Sequence, residues 1–208
     1  RGRAQGRYQG ALRRAGLPVV YSQGFNPALQ ISFASALPVG TAGESELCAL
    51  QLAHWVPPEQ VRLALNEQLP ADLAVLDVQV MTGSARNLFA RLSVARYRVD
   101  YWPEDASRLD GLDQAVDAVL RASNLPVARQ TKTGTHEIDI RRGIYHLQVL
   151  PSAAAASPGL LMALDLRPQS MVKPGEVLQC LAACMTDPLS AELVRHPRLI
   201  TRLSLHQE

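Results

Sequence analysis

The two halves of this chain show nearly the same succession of helix-like and strand-like patterns, and that succession limits the folds open to it. The first half begins with a helical apolar stripe within residues 1–16. Extended apolar segments follow at 31–37 and 46–52, and a helix opens at Pro57-Pro58. Residues 73–81 then alternate apolar and polar side chains, as a strand does. This half therefore reads helix, strand, strand, helix, strand, without an opening strand.

The second half contains the opening strand that the first half lacks. In residues 95–102, Tyr97, Val99 and Tyr101 share one face of a predicted strand. After a connection over 82–92, we predict a strand over 95–102, a helix over 109–120, strands over 127–130, 137–149 and 160–166, a helix over 174–185 and a strand over 199–205, with a surface hairpin loop at 153–156.

The order β-α-β-β-α-β is that of the ferredoxin-like, or split βαβ, arrangement. We therefore predict an α+β fold made of two tandem ferredoxin-like units with antiparallel sheets. The first unit would cover residues 1–85 without its opening strand, and the second would cover residues 93–208. Since 47% of the 208 residues are hydrophobic, the chain is long and apolar enough to bury a core in each.

The charged residues are few, but the basic ones are unusual. The net charge is only +2, and all basic residues except Lys132 and Lys173 are arginine. Arginine suits planar contacts to phosphate, although a GC-rich coding genome also favours its codons. The sequence as given holds no apolar run of about 20 residues, no signal-peptide pattern and no CxxC spacing among its three cysteines. We expect a cytoplasmic protein with reduced cysteines and no membrane partner.

The loop over 22–27 is the first candidate site. Gly24 permits a positive φ, which lets neighbouring backbone N–H groups converge on an anion. Polar side chains and nearby arginines add to it, so the predicted binding residues are Ser22, Gln23, Gly24, Asn26, Arg13 and Arg14. The competing interpretation is a tight turn in which Asn26 caps its own backbone.

The segment 132–142 is the second candidate. Lys132 and His136 lie in a polar turn, and a strand at 138–140 would place Asp139 and Arg141 on the same face. These four residues predict a binding surface, whereas the alternative is a simple surface ion pair. Asp139 or His136 also has the chemistry of a base acting on RNA. No residue pattern predicts a metal site.

A long string that runs from Ala11 to Pro27, ALRRAGLPVVYSQGFNP, resembles the start of the radical SAM-linked domain of unknown function. The resemblance continues at ISFA (31–34), LPVG (37–40), ESE (44–46), TKTG (131–134), EIDIR (137–141), RP (167–168) and EVL (176–178). It implies a domain fused behind, or encoded beside, a cobalamin-binding-type radical SAM protein. Members often lie near genes for ribosomal proteins and a ribonuclease, which implies an RNA substrate.

Three departures from that family bear on function. The family opens with a strand and a Ser-His-Leu-Asp-like stretch, whereas this sequence starts within the following helix. The family has His-Pro where this chain has Ala28-Leu29. The chain also lacks the CxxxCxxC motif, so the iron–sulfur cluster and SAM are expected on the partner and no cofactor in this chain.

Three functions remain open at this stage. The first is a non-catalytic accessory domain that binds tRNA, rRNA or a ribosome-related substrate in a basic groove between the two halves. The second is an RNA-modifying or RNA-cleaving enzyme that uses Asp139 or His136. The third is a module that only docks onto the radical SAM protein.

Overall fold

A computed structural model describes residues 3–131, 134–150 and 157–207, with the backbone alone for residues 3–5. The chain forms two compact units. Unit 1 comprises Arg1–Val39 and Ser45–Arg91, and unit 2 comprises Gly40–Glu44 and Leu92–Glu208. Residues 40–44, which lie inside the predicted first unit, therefore belong to unit 2. Both helices and strands occur, so the predicted α+β class is confirmed.

The elements of both units follow in chain order. The described helices are α1 (Arg3–Arg14), α2 (Pro58–Asn66), α3 (Ala85–Ala90), α4 (Leu112–Arg121), α5 (Pro174–Cys184) and α6 (Pro188–Arg195). The described strands are β1 (Ile31–Phe33), β2 (Thr41–Gly43), β3 (Cys48–Leu50), β4 (Val94–Asp100), β5 (Pro126–Thr131), β6 (Gly134–Asp139), β7 (Ile144–Leu150), β8 (Gly159–Asp165) and β9 (Leu199–His206). None of these helices combines the length and apolar character needed to cross a bilayer.

Unit 2 is built on one five-stranded sheet with the order β2-β9-β4-β8-β7. Neighbouring strands are antiparallel except for β2, which runs parallel to β9. In β4, Tyr97 and Val99 are buried while Arg96 and Arg98 are exposed, as the alternation predicts. The buried residues of α4 are Leu112, Ala115, Val116 and Val119. Their spacing places all four on one helix face.

Unit 1 has a smaller buried core and a smaller sheet than unit 2. Among its described residues, β1 and β3 form a two-stranded antiparallel sheet. Its buried cluster contains Leu12 from α1, Leu29, and Val61 and Leu65 from α2. The helices therefore pack by their apolar stripes onto a sheet with few strands.

The predicted strand at 73–81 is wrong. These residues form neither a strand nor a helix. The alternation and the valines favour a strand, but a strand also requires a partner for its backbone groups, and no described strand pairs with this segment. The predicted connection 82–92 contains the short helix α3, whose first turn is capped by the Ser84 hydroxyl accepting from Asn87 N at 3.3 Å.

The predicted strand over 137–149 is two strands in different sheets. A 3-10 turn at Arg141–Gly143 separates β6, which pairs with β5, from β7, which pairs with β8. Position 143 of this turn favours glycine, because a Cβ there would lie 2.4 Å from a Val172 methyl group. The sequence also did not predict α6 and β2. The predicted loop at 153–156 lies outside the described residues.

Candidate nucleic-acid interface

Helix α1 carries basic residues on its exposed side and no acid in its first turn. Ala11 and Leu12 are buried, whereas Arg7, Arg13 and Arg14 are exposed. Arg13 and Arg14 lie in the last turn, where positive charge interacts favourably with the helix dipole. The local sequence thus supports the helix and leaves its arginines toward solvent. We call Arg7, Arg13 and Arg14 the arginine face.

The three arginines differ in their partners. Arg7 forms an ion pair with Asp72, and this hydrogen bond lowers the pKa of the Asp72 carboxyl. Arg14 donates from Nη2 to the Gln68 carbonyl oxygen at 2.9 Å. Arg13 has neither a hydrogen bond nor an ion pair to any residue that the structure describes. Its guanidinium is thus available to a ligand.

A shallow groove of about 690 Å³ runs beside this helix within unit 1. Its lining residues are Gly6, Arg7, Gly10, Arg14, Gln68, Leu69 and Pro70. Because Gly6 lacks a side chain and has open space beside it, the floor of the groove there is helix backbone. At Gly10 the Arg14 guanidinium lies over the helix, with Nη1 3.3 Å from the position that a Cβ would take.

The loop over 22–27 projects from unit 1 as a closed turn. Ser22 N donates to Ala28 O at 2.7 Å, and the Ser22 hydroxyl accepts from Ala28 N at 2.9 Å. Ser22 therefore closes the base of the loop. Gly24 has a φ of 133°, a conformation that residues with a side chain rarely adopt.

The tip of the loop is fully accessible. Gln23, Gly24, Phe25 and Asn26 are exposed, and the Phe25 ring has no protein cover. Within the described chain, the side chains of Gln23 and Asn26 have no hydrogen-bond partner, so Asn26 does not cap its own backbone. The tip thus offers two amide groups and one aromatic ring to a ligand.

The second predicted segment lies in unit 2, on the hairpin formed by β5 and β6. His136 is exposed and lies opposite Arg129 in the strand register. Lys132 lies outside the described residues. Most side chains on both strands are exposed, so the hairpin offers polar groups on two faces.

Asp139 and Arg141 do not form the predicted pair on one strand face, because Arg141 lies in the 3-10 turn. The Asp139 carboxylate accepts from Leu125 N at 2.7 Å and from Arg141 N at 2.9 Å. These two backbone hydrogen bonds lower the pKa of Asp139. The carboxylate is therefore a structural acceptor at the base of the hairpin.

The Arg141 side chain is also engaged by the protein. Its Nη2 donates to Leu120 O in the last turn of α4 at 2.6 Å, and its Nη1 donates to Ile144 O at 3.3 Å. The cation thus satisfies one carbonyl group at the carboxyl end of α4, where positive charge is favoured, and one at the start of β7.

Unit 2 also contains two arginine–carboxylate clusters that the sequence did not predict. Arg129 binds both oxygens of Glu176 at 2.9 and 2.7 Å, which attaches the hairpin to the start of α5. Buried Asp165 binds Arg167, whose Nη2 also donates to the Tyr145 hydroxyl at 2.7 Å. Arg167 and Glu176 fall within the RP (167–168) and EVL (176–178) strings that carry the family resemblance. That resemblance was the sequence signal that could have indicated these two residues.

The candidate residues thus form two groups. Unit 1 contains Arg13, Arg14, Ser22, Gln23, Gly24 and Asn26, whereas unit 2 contains His136, Asp139 and Arg141. Within residues 3–131, 134–150 and 157–207, no three His, Cys, Asp or Glu side chains lie close enough to hold a metal ion.

Comparison with known proteins assigns the chain to a family. The model of a family described as "Uncharacterized protein conserved in bacteria (DUF2344)" matches residues 7–174. Since this match covers well over half of the sequence, the chain belongs to that family. No curated protein matches the chain.

Proposed function

We propose that this family member is a non-catalytic accessory domain of a radical SAM system, and that it binds RNA or a ribosome-related substrate through unit 1. The observation that carries the proposal is the arginine face of α1, where Arg13 has no hydrogen-bond or ion-pair partner among the described residues and Arg14 is exposed beside the groove. Electrostatic contact with phosphates supplies most of the affinity in nonspecific RNA binding.

The geometry of α1 fits a sugar–phosphate backbone. Arg7 and Arg14 are seven residues apart, which is roughly 10 Å along a helix. Gly6 leaves open space beside the helix, whereas the Arg14 guanidinium lies over Gly10. A phosphate chain has room to approach the helix backbone at Gly6, beside the Arg7 and Arg14 guanidinium groups. Arginine binds a phosphate through two parallel N–H bonds.

The loop supplies a different kind of contact. Phe25 is fully exposed at the loop tip, and single-stranded RNA bases stack on such rings. Gln23 and Asn26 have amide groups that hydrogen-bond to base edges. In this proposal, the arginine face binds phosphates and the loop binds bases.

The hairpin in unit 2 is proposed as a second RNA contact, through His136 and Lys132. Asp139 and Arg141 are left out of the ligand contacts, because Asp139 Oδ1 and both Arg141 Nη atoms already bind backbone groups. Their role in the proposal is to hold the hairpin at its base.

An enzyme that uses Asp139 is the less favoured alternative. A general base works best when its pKa lies near the working pH, whereas backbone hydrogen bonds lower the pKa of Asp139. Asp139→Asn in a cellular RNA-modification profile tests this alternative. A lost modification would support the enzyme, and an unchanged profile would support the binding role.

A module that only docks onto the radical SAM protein is a second candidate, favoured by the apolar side chains that unit 1 exposes. Five of these apolar side chains are more than 65% exposed, namely Phe25, Val39, Trp55, Leu76 and Val80. The partner itself is proposed from the sequence resemblance, with the cluster and SAM on that partner. Binding to the purified partner without any RNA binding would favour this candidate.

The finer fold is also a proposal. The chain order and the strand order β9-β4-β8-β7 support a ferredoxin-like arrangement for unit 2, with the β5–β6 hairpin inserted. We infer that the order α1-β1-β3-α2 in unit 1 corresponds to the order α4-β7-β8-α5 in unit 2.

Fluorescence anisotropy with labelled tRNA and rRNA fragments tests RNA binding. Replacing Arg13 and Arg14 together by glutamine should weaken binding on the order of tenfold, because two phosphate contacts are lost. The matched control replaces Arg121 and Arg195, two exposed arginines in last helical turns of unit 2, and should bind as the original chain does. Equal loss in both variants, or no binding by the original chain, would refute the proposal.

A further inference from the structure

We propose that the accessible face of the five-stranded sheet in unit 2 binds a segment of single-stranded RNA, with Arg96 as its phosphate contact. The proposal rests on the proposed RNA ligand, but it concerns other residues than the arginine face and the β5–β6 hairpin. We call the surface formed by Arg96, Arg98, His146, Gln148 and Ser204 the sheet face.

One face of β4 is buried and the other is accessible. Ala95, Tyr97 and Val99 are buried, whereas Arg96 and Arg98 between them are exposed. Because side chains alternate between the two faces of a strand, both arginines lie on the face opposite the core. Strand β4 is the central strand, with β9 on one side and β8 and β7 on the other. The two arginines therefore lie in the middle of the accessible face.

The strand register places other side chains in one row with Arg96. Arg96 lies opposite Ser204 of β9 and opposite Ala163 of β8, and Ala163 lies opposite His146 of β7. Directly opposite residues share a face of the sheet, with Cβ atoms about 5 Å apart. The row therefore runs from a hydroxyl group past a guanidinium group and a small methyl group to an imidazole ring.

A second row of side chains follows at Arg98. Arg98 lies opposite Leu161 of β8, and Leu161 lies opposite Gln148 of β7. Gln148 and His146 are both exposed, and the Gln148 Oε1 and His146 Nε2 atoms are 3.3 Å apart. Since neighbouring strands are about 4.8 Å apart, the sheet face extends about 14 Å from β9 to β7.

Within the described chain, Arg96 is the arginine of the sheet face that no carboxylate neutralises. Strands β4, β7, β8 and β9 have two carboxylates, Asp100 and Asp165. Arg98 Nε donates to both oxygens of Asp100 at 3.0 and 3.1 Å, and Arg167 binds Asp165. The Arg96 guanidinium has neither a hydrogen bond nor an ion pair with any described residue. An anion is thus the ligand that complements its charge.

Ser204 and His206 place further polar groups beside Arg96. Ser204 Oγ and His206 Nε2 are 2.6 Å apart, and His206 is exposed. The two residues are separated by one position on β9, so they share the accessible face. Serine hydroxyl and arginine guanidinium groups both bind the phosphate oxygens of nucleic acids. Arg96 and Ser204 therefore form the phosphate contact of the proposal.

The polar groups on β7 favour RNA over an acidic peptide. The Gln148 amide and the His146 imidazole have donors and acceptors for base edges. They lie two strands away from Arg96, about 10 Å to one side of the phosphate contact. Base edges are accessible in single strands, whereas they are paired in a duplex. The sheet face therefore fits a single strand that has both charges and bases.

An NMR titration of the full chain, read at single residues, tests this proposal. The probe is a short oligouridylate, and the control probe is its methylphosphonate analogue, which has the same bases but an uncharged backbone. We expect the oligouridylate to shift the amides of Arg96, Ala163 and Ser204, and the analogue to bind there at least roughly tenfold more weakly. Equal shifts by both probes would overturn the proposal. Equal shifts by oligoglutamate, which has charges but no bases, would overturn it as well.

A matched pair of variants tests the role of Arg96. Arg96→Gln should weaken the binding that is read at Ala163 and Ser204 on the order of fivefold, because one phosphate contact is lost. The control, Arg121→Gln, replaces an exposed arginine at the end of α4 and should leave that binding unchanged. Equal binding by Arg96→Gln and the original chain would overturn the proposal.

The same titration separates the sheet face from the arginine face. Shifts at the amides of Arg13 and Gly24 should persist in Arg96→Gln, because those residues belong to unit 1. Shifts in unit 1 alone would overturn the sheet-face proposal and leave the proposed function standing. Shifts on the sheet face alone would support it and contradict RNA binding through unit 1. The absence of shifts in both units would overturn both proposals.

Discussion

Unit 2 and unit 1 differ in how their strands are satisfied. In unit 2, each strand of the five-stranded sheet pairs with at least one neighbour, and Val99, Leu160 and Leu164 have no exposed surface. In unit 1, the described sheet has two short strands. The buried hydrophobic residues of this unit are Ala11, Leu12, Leu29, Val61 and Leu65, and all but Ala11 keep some exposed surface. Among the described residues, unit 2 therefore contains most of the buried core, whereas unit 1 carries most of the exposed large apolar side chains.

A matched pair of core truncations measures how differently the two units are packed. Leu164→Ala in β8 should lower the free energy of unfolding by about 4 kcal/mol, because a closely packed cavity is left behind. Leu65→Ala in α2 should cost about 2 kcal/mol, since a smaller core collapses more easily around the gap. Urea denaturation followed by circular dichroism measures both. A larger cost for Leu65→Ala would reverse the ranking of the units.

The second prediction concerns the buried carboxylate of unit 2. Burial alone would raise the pKa of Asp165, but hydrogen bonds from Arg167, Ser170 and Tyr145 outweigh it and hold the pKa well below its usual range. Asp165→Asn should cost about 3 kcal/mol at pH 7, the lower end for breaking a buried pair. We expect a cost at the lower end of the range for buried ion pairs, because water screens the Arg167 side chain, which is 42% exposed.

The pH dependence of this variant follows from the direction of the shift. A carboxyl group with a lowered folded pKa contributes its full stability above its unfolded pKa, about 4. That contribution is lost as the pH falls further, toward the folded value. The difference between the original chain and Asp165→Asn should therefore be constant from neutral pH to about pH 5 and shrink below about pH 4. A constant difference down to pH 2 would show that the charge of Asp165 is not what stabilises unit 2.

The smallest predicted effect concerns the Arg129–Glu176 pair of unit 2. Arg129→Gln removes the paired cation that attaches the hairpin to α5 and should cost about 2 kcal/mol, since the bonds join charged groups. The control, Arg121→Gln, breaks an exposed pair with Asp117 one helical turn away and should cost less than about 0.5 kcal/mol. Thermal unfolding of both variants decides whether the hairpin is held by Arg129. Equal costs would contradict that role.

Strong local patterns allowed the sequence to predict much of unit 2. The alternation around Tyr97 and Val99 and the stripe from Leu112 to Val119 each specify one buried face. The strand at 73–81 could not be judged in this way, because its existence depends on a partner elsewhere in space. The same holds for β2, three residues that become a strand only beside β9.

The candidate site was predictable in part. The exposure of Arg13, Arg14 and the loop around Gly24 follows from a helix end and a turn, which are local features. The roles of Asp139 and Arg141 depend on where Leu125 and the end of α4 lie. A strand pattern carries no information about those distant backbone atoms, so the sequence assigned both residues to a ligand surface.

The salt dependence of RNA binding measures the role of the arginine face, because the loss of slope in a variant counts the phosphate contacts of the arginines that were replaced. Anisotropy titrations of single-stranded RNA over a range of salt concentrations give the slope of log K against log salt. For the variant with Arg13 and Arg14 both replaced by glutamine, we predict a slope that is shallower by about 1.4, with no change in the Arg121 and Arg195 control. The same slope in the original chain and in both variants would contradict the account.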